Sequence, residues 1–287
     1  MARQGNIVFD LSKCDHCGLC LKACVGRVID HAHARVEVEH CILCGHCLAI
    51  CPRGALSLAG HPLPEEGAGL PLPAHGVSPD AFERLVRGRR TMRAFKDEDI
   101  DPGTLRSILE LLRYAPTGTN SQGVHMSVLG TRRAVGDFSR GMMGFFQRVA
   151  ALAPLFLPLI ALVLGPRRAK KAAGFSGRYF RRWREGEDVL CHGAPCLLVF
   201  HASGSSSTPE QDCLIWAATA SLHAETLGLG SCYNGFIVYG LRFHRPSRAF
   251  LRMPRGHRAY AALLLGKPAL KYLRVPPRAP LRAEFID

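Results

Sequence analysis

Residues 14–26 read CDHCGLCLKACVG, and residues 41–54 return the same pattern as CILCGHCLAICPRG. Both runs space their thiols alike, at two, two and then three intervening residues, giving Cys14, Cys17, Cys20, Cys24 and Cys41, Cys44, Cys47, Cys51. Eight of the chain's twelve cysteines lie here, which is the ligand count of two [4Fe-4S] clusters. Paired zinc knots are the rival reading, because short cysteine intervals also suit zinc, and a colourless, zinc-rich protein would identify it. A disulfide scaffold needs an oxidising compartment, yet MARQGNIVFDLSKCD brings no apolar signal segment ahead of the first cysteine. Reduced thiols in a cytoplasmic setting are therefore expected.

Roughly residues 5–60 resemble a bacterial two-cluster ferredoxin. The second run carries that family's Cys-Pro ending at Cys51 and Pro52, whereas the first ends in Cys24 and Val25. In such ferredoxins the fourth cysteine of each run serves the other cluster. The rule assigns Cys14, Cys17, Cys20 and Cys51 to one centre, and Cys41, Cys44, Cys47 and Cys24 to the second. The intervening RVIDHAHARVEVEH reads as short strands around a turn, with His31, His33 and His40 solvated, since the ligand count is already complete.

The small region is expected to span 1–60 and a Pro/Gly-rich linker 61–79, HPLPEEGAGLPLPAHGVSP. With 47% hydrophobic residues in 287, the remaining 80–287 can bury a core of its own. Ser78 and Pro79 open a helix whose Phe82, Leu85 and Val86 share a face; DPGTLRSILELLRYA is a second, with a stripe of Leu105, Ile108, Leu109 and Leu112. PCLLVFHA reads as a strand, QDCLIWAATASLHAETLGLG as a helix ended by glycine, and SCYNGFIV as a following strand. Cys191, Cys196 and Cys213 have no metal-binding spacing, and Cys232 reads as a buried thiol beside a loop. His223 and Glu225 read as structural.

Two polar clusters stand out, RRTMRAF at 89–95 and APTGTNSQ at 115–122. Guanidinium forks and hydroxyls suit a phosphate, and amides suit a polar ring edge. With HGAPCLLVFHA at 192–202, AETLGLGSCYNGF at 224–236 and KYLRVPPR at 271–278, their order makes residues 80–287 similar to the nitroreductase family of FMN-dependent flavoproteins. The resemblance implies an α+β fold, a mostly antiparallel sheet flanked by helices, and an intertwined homodimer with FMN at the subunit interface. It implies that Arg89, Arg90 and Arg93, with Thr91, hold the phosphate or ribityl chain, and that Pro116, Thr117 and Asn120 approach the flavin, from the partner subunit. Gly228, Leu229, Gly230, Ser231, Asn234 and Gly235 would lie beside the ring, and Arg274 and Arg278 would add charge near the phosphate. No catalytic acid or nucleophile is implied. The family's aromatic after Gln-Pro is absent, since the chain reads NSQGVH.

An insert is expected at 141–186. Its uncharged VAALAPLFLPLIALVLG, 149–165, is followed by PRRAKK, and Pro154 and Pro158 are expected to interrupt any spanning helix. A lid, a dimer contact and a peripheral contact with anionic lipid stay open. The formal charge of +14 suits anionic cofactors or an acidic redox partner, and no nucleic-acid-binding motif accompanies it. The expected function is an oxidoreductase passing electrons through two clusters and FMN to a nitroaromatic, quinone-like or activated-alkene acceptor. Its alternative is an electron-transfer module for a protein or membrane carrier. The donor is a reduced ferredoxin or NAD(P)H, and no separate dinucleotide-binding fingerprint is present.

Overall fold

The structure is a computed structural model describing residues 6–30, 32–33, 35–37, 39–59, 76–164 and 177–286. Most of the expected linker, His31 and the basic run after residue 164 lie outside these residues. The chain divides into two compact units, residues 1–76 with 117–121, and residues 77–116 with 122–287. The division falls at 76/77, within the stretch read as the linker, and five residues of the APTGTNSQ motif, Thr117–Ser121, belong to the smaller unit.

In the smaller unit, β1 (Asn6–Phe9) pairs antiparallel with β4 (Leu56–Ala59), and between them come α1 (Leu19–Ala23), β2 (Ile29–Asp30), β3 (Arg35–Val36) and α2 (His46–Ile50). The strands β2 and β3 form the expected hairpin. The repeat in sequence is a repeat in backbone: Gly18 and Gly45 adopt φ 71° and 73° immediately before α1 and α2. Only glycine takes that left-handed turn without a Cβ penalty, so each run bends into its helix at the same step. Ile7, Val28, Ile29 and Leu56 make a small core that takes in Cys20. His33 and His40 are exposed, His33 against Asp30 at 2.7 Å, in keeping with the solvated reading.

In the larger unit the elements are α3 (Pro79–Gly88), α4 (Pro102–Leu111), β5 (Val124–Leu129), α5 (Arg132–Leu164), α6 (177–184), β6 (Cys196–Ser203), α7 (Pro209–Thr226), β7 (Gly230–Tyr233), α8 (Gly235–Phe243), α9 (Arg245–Phe250) and β8 (His257–Gly266). The sheet order is β5-β6-β8-β7, with every neighbouring pair antiparallel. Alternation along β6 explains why it is buried on both faces. Cys196, Leu198 and Phe200 pack with Ile108 and Leu112 and with Cys213, Trp216 and Ala220 of α7, while Leu197 and Val199 pack with Phe138 and Met142 of α5 and Ile237 of α8. The expected α+β architecture, helices flanking a mostly antiparallel sheet, is the one observed.

Helix starts follow the caps. Ser78 Oγ accepts from Ala81 N at 3.2 Å and Asp101 accepts from Thr104 N at 2.8 Å, each followed by proline in the first turn. Two expectations are corrected. The helix α5 continues through Pro154 and Pro158 to Leu164, because proline removes one donor yet has a helical φ, so it can kink a helix without ending it. Among the described residues no helix is long and apolar enough to cross a membrane. The strand expected over SCYNGFIV ends at Tyr233, since Asn234 Oδ1 accepts from Ile237 N at 3.1 Å and caps α8.

One end of the sheet carries a directed polar chain. Ser127 Oγ donates to Leu251 O at 2.7 Å, so it accepts from His201 Nε2 at 3.2 Å; His201 Nδ1 is then the acceptor from His257 Nδ1 at 2.9 Å. Burial, followed by the neighbouring His257, His125 and Arg248, pushes His201 down to about 4. The unfolded chain takes up this proton near pH 6.5 and the folded chain does not, so stability is held above 6.5 and lost as pH falls towards 4. The melting temperature is expected to drop between pH 7 and 5, and H201Q should flatten that dependence; equal slopes in the two proteins would refute the assignment.

Candidate cofactor sites

The two cysteine runs meet inside the smaller unit. A cavity there is walled by Cys24, Cys41, Cys44 and Cys47, three thiols from the second run and the last thiol of the first. Burial pushes the Cys47 thiol up to about 11, and Cys44, Cys41 and Cys24 add to the rise. Cys20 is raised by burial too, with smaller contributions from Cys51 and Cys14. The near neighbours thus cross between runs in both groups. Backbone N–H groups already point at ligand sulfurs: His16 N lies 3.4 Å from Cys14 Sγ, Leu43 N 3.4 Å from Cys41 Sγ, and Ala55 N 3.3 Å from Cys51 Sγ. Such donors stabilise thiolates in a cluster, and the raised thiols would be deprotonated by the metal they bind. Among the described residues no three His, Cys, Asp or Glu side chains close on a single metal ion. Eight soft thiols drawn from both runs, with backbone N–H groups beside three of their sulfurs, are a donor set that fits two four-iron cores.

In the larger unit the RRTMRAF segment adds alongside β7. Thr91 bridges Ser231 in parallel fashion, Met92 N donates to Ser231 O at 2.8 Å, and Tyr272 Oη donates to Thr91 O at 3.1 Å. The approach is close: a Cβ on Gly230 would stand 2.8 Å from Met92 Cβ. Around this seam are two clefts. The first, of about 390 Å³, is lined by Arg90, Gly228, Leu229 and Gly230, joined by Glu225, Lys271 and Tyr272. The second, of about 740 Å³, is lined by Arg93, Asn234 and Gly235, joined by Tyr179, His192, Phe236 and Tyr239. Both volumes suit an organic cofactor or substrate.

Arg89 Nη1 is buried with no partner among the described residues. An unpaired buried guanidinium is costly, so this atom favours an anionic ligand. Burial raises the Glu225 carboxyl above its usual range, against the opposing pull of Arg89 and Arg90. The Arg90 guanidinium donates to Arg87 O. This donor set fits a phosphate-bearing flavin.

The other expected site residues are distributed unequally. Ser231 is fully buried, its hydroxyl 2.7 Å from Ser221 Oγ. Asn234 is spent within the fold, capping α8 and donating to Leu190 O at 2.6 Å. Arg274 and Arg278 lie exposed in the irregular tail and line neither cleft. Pro116 lies in the larger unit, whereas Thr117 and Asn120 lie in the smaller, where Asn120 Nδ2 donates to Ile42 O and Leu43 O at 3.3 and 2.9 Å. Cys232 is buried, as read. Lys271, Tyr272, His192 and Tyr179 were not singled out as site residues; Lys271 and Tyr272 open the basic KYLRVPPR tail motif and His192 opens HGAPCLLVFHA, while nothing local marks Tyr179.

A sequence model of the nitroreductase family matches residues 86–267, and one described as a 4Fe-4S dicluster domain matches residues 6–52. The fold and sites therefore define a flavoenzyme-type unit joined to a dicluster unit, and the chain belongs to the nitroreductase family. It is 29% identical over 173 residues to nitroreductase NfnB of Mycolicibacterium smegmatis, covering 55% of this chain and 72% of that protein. It is 42% identical over 60 residues to a 4-nitrobenzoate reductase of Nocardioides sp., covering 20% of this chain and 24% of the relative. Among solved structures, the FMN-dependent nitroreductase NfnB of Mycobacterium smegmatis in complex with NADPH superposes with a TM-score of 0.51 at 19% identity, over 70% of this chain and 95% of that one. That likeness concerns the fold.

Proposed function

We propose that the chain is an iron-sulfur flavoprotein oxidoreductase that takes electrons from a reductant through two [4Fe-4S] clusters to FMN, and gives them to a nitroaromatic, quinone-like or activated-alkene acceptor. The observation that carries this reading is the crossed cysteine-walled cavity in the same chain as a nitroreductase unit in which Arg89 Nη1 is buried without a partner among the described residues. When bound, the clusters supply one-electron storage and FMN supplies the exchange between single electrons and pairs.

The chain's own groups have separate tasks. Arg89 and Arg90 hold the phosphate by charge-assisted hydrogen bonds, and Thr91 is placed by its bridge to Ser231 to help them. Gly228, Leu229 and Gly230 form a wall of the first cleft, while the Gly228 and Leu229 amides donate to Glu225 O and Ala224 O at 3.1 and 2.9 Å and close the end of α7. The Arg93 cleft, with Tyr179, Phe236 and Tyr239, supplies flat apolar walls for an aromatic acceptor. A second copy of the chain is the expected partner: Phe236, Tyr239 and Phe243 on α8 and Leu273, Leu281 and Phe285 of the extended tail are exposed, as arms and faces that swap between subunits would be. The NfnB structure is a complex with NADPH, and NADPH is proposed here as one donor, with a reduced ferredoxin as the other.

The test is anaerobic purification with iron, sulfide and flavin analysis, followed by turnover. About eight iron and eight sulfide with one FMN per chain, and multiple turnovers of a nitroaromatic or quinone, are expected. Zinc in place of iron would overturn the electron path. Rapid flavin reduction with slow turnover of every small acceptor would instead favour a carrier serving another protein.

A further inference from the structure

The segment Thr117–Ser121 begins and ends at residues of the larger unit, Pro116 and Gln122, yet packs as part of the smaller one. It does so in a strained shape. Thr119 and Asn120 both have φ 51°, in the left-handed region, where a β-branched residue is an outlier. Asn120 N donates to Thr117 O at 3.0 Å and Ser121 N to Gly118 O at 3.0 Å, closing a tight turn. Strain of this kind persists where surrounding contacts over-determine it. One of the contacts that hold it is the Asn120 amide, which donates to Leu43 O at 2.9 Å and Ile42 O at 3.3 Å.

The Ile42 carbonyl and the Leu43 N–H are two ends of one peptide group. The far end of that group points its N–H at Cys41 Sγ, 3.4 Å away. A donor on the carbonyl end polarises the peptide and fixes its plane, so it strengthens and aims the N–H at the other end. Hydrogen bonds to cluster sulfurs are among the determinants of reduction potential, because they stabilise the more negative, reduced state. Leu43 itself sits at φ 51°, so the peptide needs holding in this orientation. The equivalent peptide of the first run also aims His16 N at Cys14 Sγ, at 3.4 Å, but Asn120 reaches only the second run.

We infer that Asn120 is a positioning residue for the Cys41–Cys44 loop: by clamping the Ile42–Leu43 peptide it raises the reduction potential of the cluster bound by Cys24, Cys41, Cys44 and Cys47, and not that of its sister. The inference rests on the proposed iron-sulfur reading. It also makes the second cluster the one whose potential is set by a segment continuous with the larger unit.

The test is an EPR-monitored redox titration of N120A and N120D in the full chain, with iron and FMN counted first. The two signals are assigned by comparison with C20S, in which the first cluster is the damaged one. N120A is expected to lower one midpoint by a tenfold change in the reduction equilibrium, about 59 mV for one electron. N120D, of the same size but placing a carboxylate against two carbonyls, should lower it further. Selective loss of that cluster, with its sister's signal intact, would support the same role. Unchanged midpoints at full loading, equal shifts in both clusters, or loss of FMN with unchanged midpoints would each overturn it. Wild-type protein without iron would instead remove the iron-sulfur reading on which it rests.

Discussion

C20S and C51S are expected to lose the same cluster, leaving about four of roughly eight iron atoms per chain in each variant. The two residues are 31 positions apart and belong to different runs, so a ligand assignment by run would have them damage different centres. The fold argues otherwise. Cys51 and Cys14 are the thiols that act on Cys20, while Cys24 shares a cavity wall with Cys41, Cys44 and Cys47. Serine is a poor substitute because its hydroxyl neither ionises as readily nor matches the softness that iron-sulfur bonding favours. FMN content should stay near one per chain, since neither residue lines the arginine clefts. Iron analysis with EPR of the surviving cluster decides the matter: identical residual spectra support the crossing, and distinct ones reject it.

R89A should weaken FMN binding by about 10–100-fold, the effect of losing a charge-assisted contact of about 1.5–3 kcal/mol. The apo-protein should behave in the opposite sense. Arg89 Nη1 is buried without a partner among the described residues, so removing the guanidinium takes away an unsatisfied buried donor and, with it, only the attraction for the half-buried Glu225 carboxyl. Apo melting temperature is therefore expected to hold or rise while flavin affinity falls. Adding R90A, which removes the second arginine read as holding the phosphate, should deepen the loss of affinity. Fluorescence titration of deflavinated protein, with melting curves alongside, measures both quantities. Unchanged affinity in the double variant would remove both arginines from the flavin site.

The smaller unit was legible because its chemistry is written in local spacing: the cysteine intervals are fixed by a compact inorganic core whatever the surrounding chain does. Caps were legible for the same reason, and Ser78, Pro79 and Gly228 serve as read, Gly228 turning out of α7 at φ 72°. The α4 stripe was also read correctly, with Ile108 and Leu112 fully buried. The α3 stripe was not, since Phe82 and Val86 are exposed in a single copy of the chain. Periodicity says that a face is apolar and cannot say what covers it. The central strand β8 escaped notice because AYAALLLG is a continuous apolar run, the pattern a buried strand shares with a buried helix. Over FIV the β-branched residues argued for a strand, and the Asn234 cap prevailed. At the flavin site the motifs located the right stretches, but which side chains are free for a ligand is decided by tertiary partners. The duties of Asn234 towards Leu190 and of Asn120 towards Leu43 span 44 and 77 residues, beyond the reach of any local pattern.

The pairing of β1 with β4 bears on how the protein is made. Asn6 lies opposite Ala59 and Phe9 opposite Leu56, so β1 waits during synthesis until both cysteine runs have followed it before it finds its neighbour. A contact between chain ends closes its loop late and slowly compared with a local hairpin. Until then the nascent segment exposes thiols with no finished enclosure around them, and on the proposed crossed ligation, with Cys24 and Cys51 each serving the other run's cluster, neither half is completed first. On the proposed cluster reading, insertion of iron and sulfide follows the emergence of residues 56–59, while about four-fifths of the chain is still to be made, and answers to neither cysteine run alone.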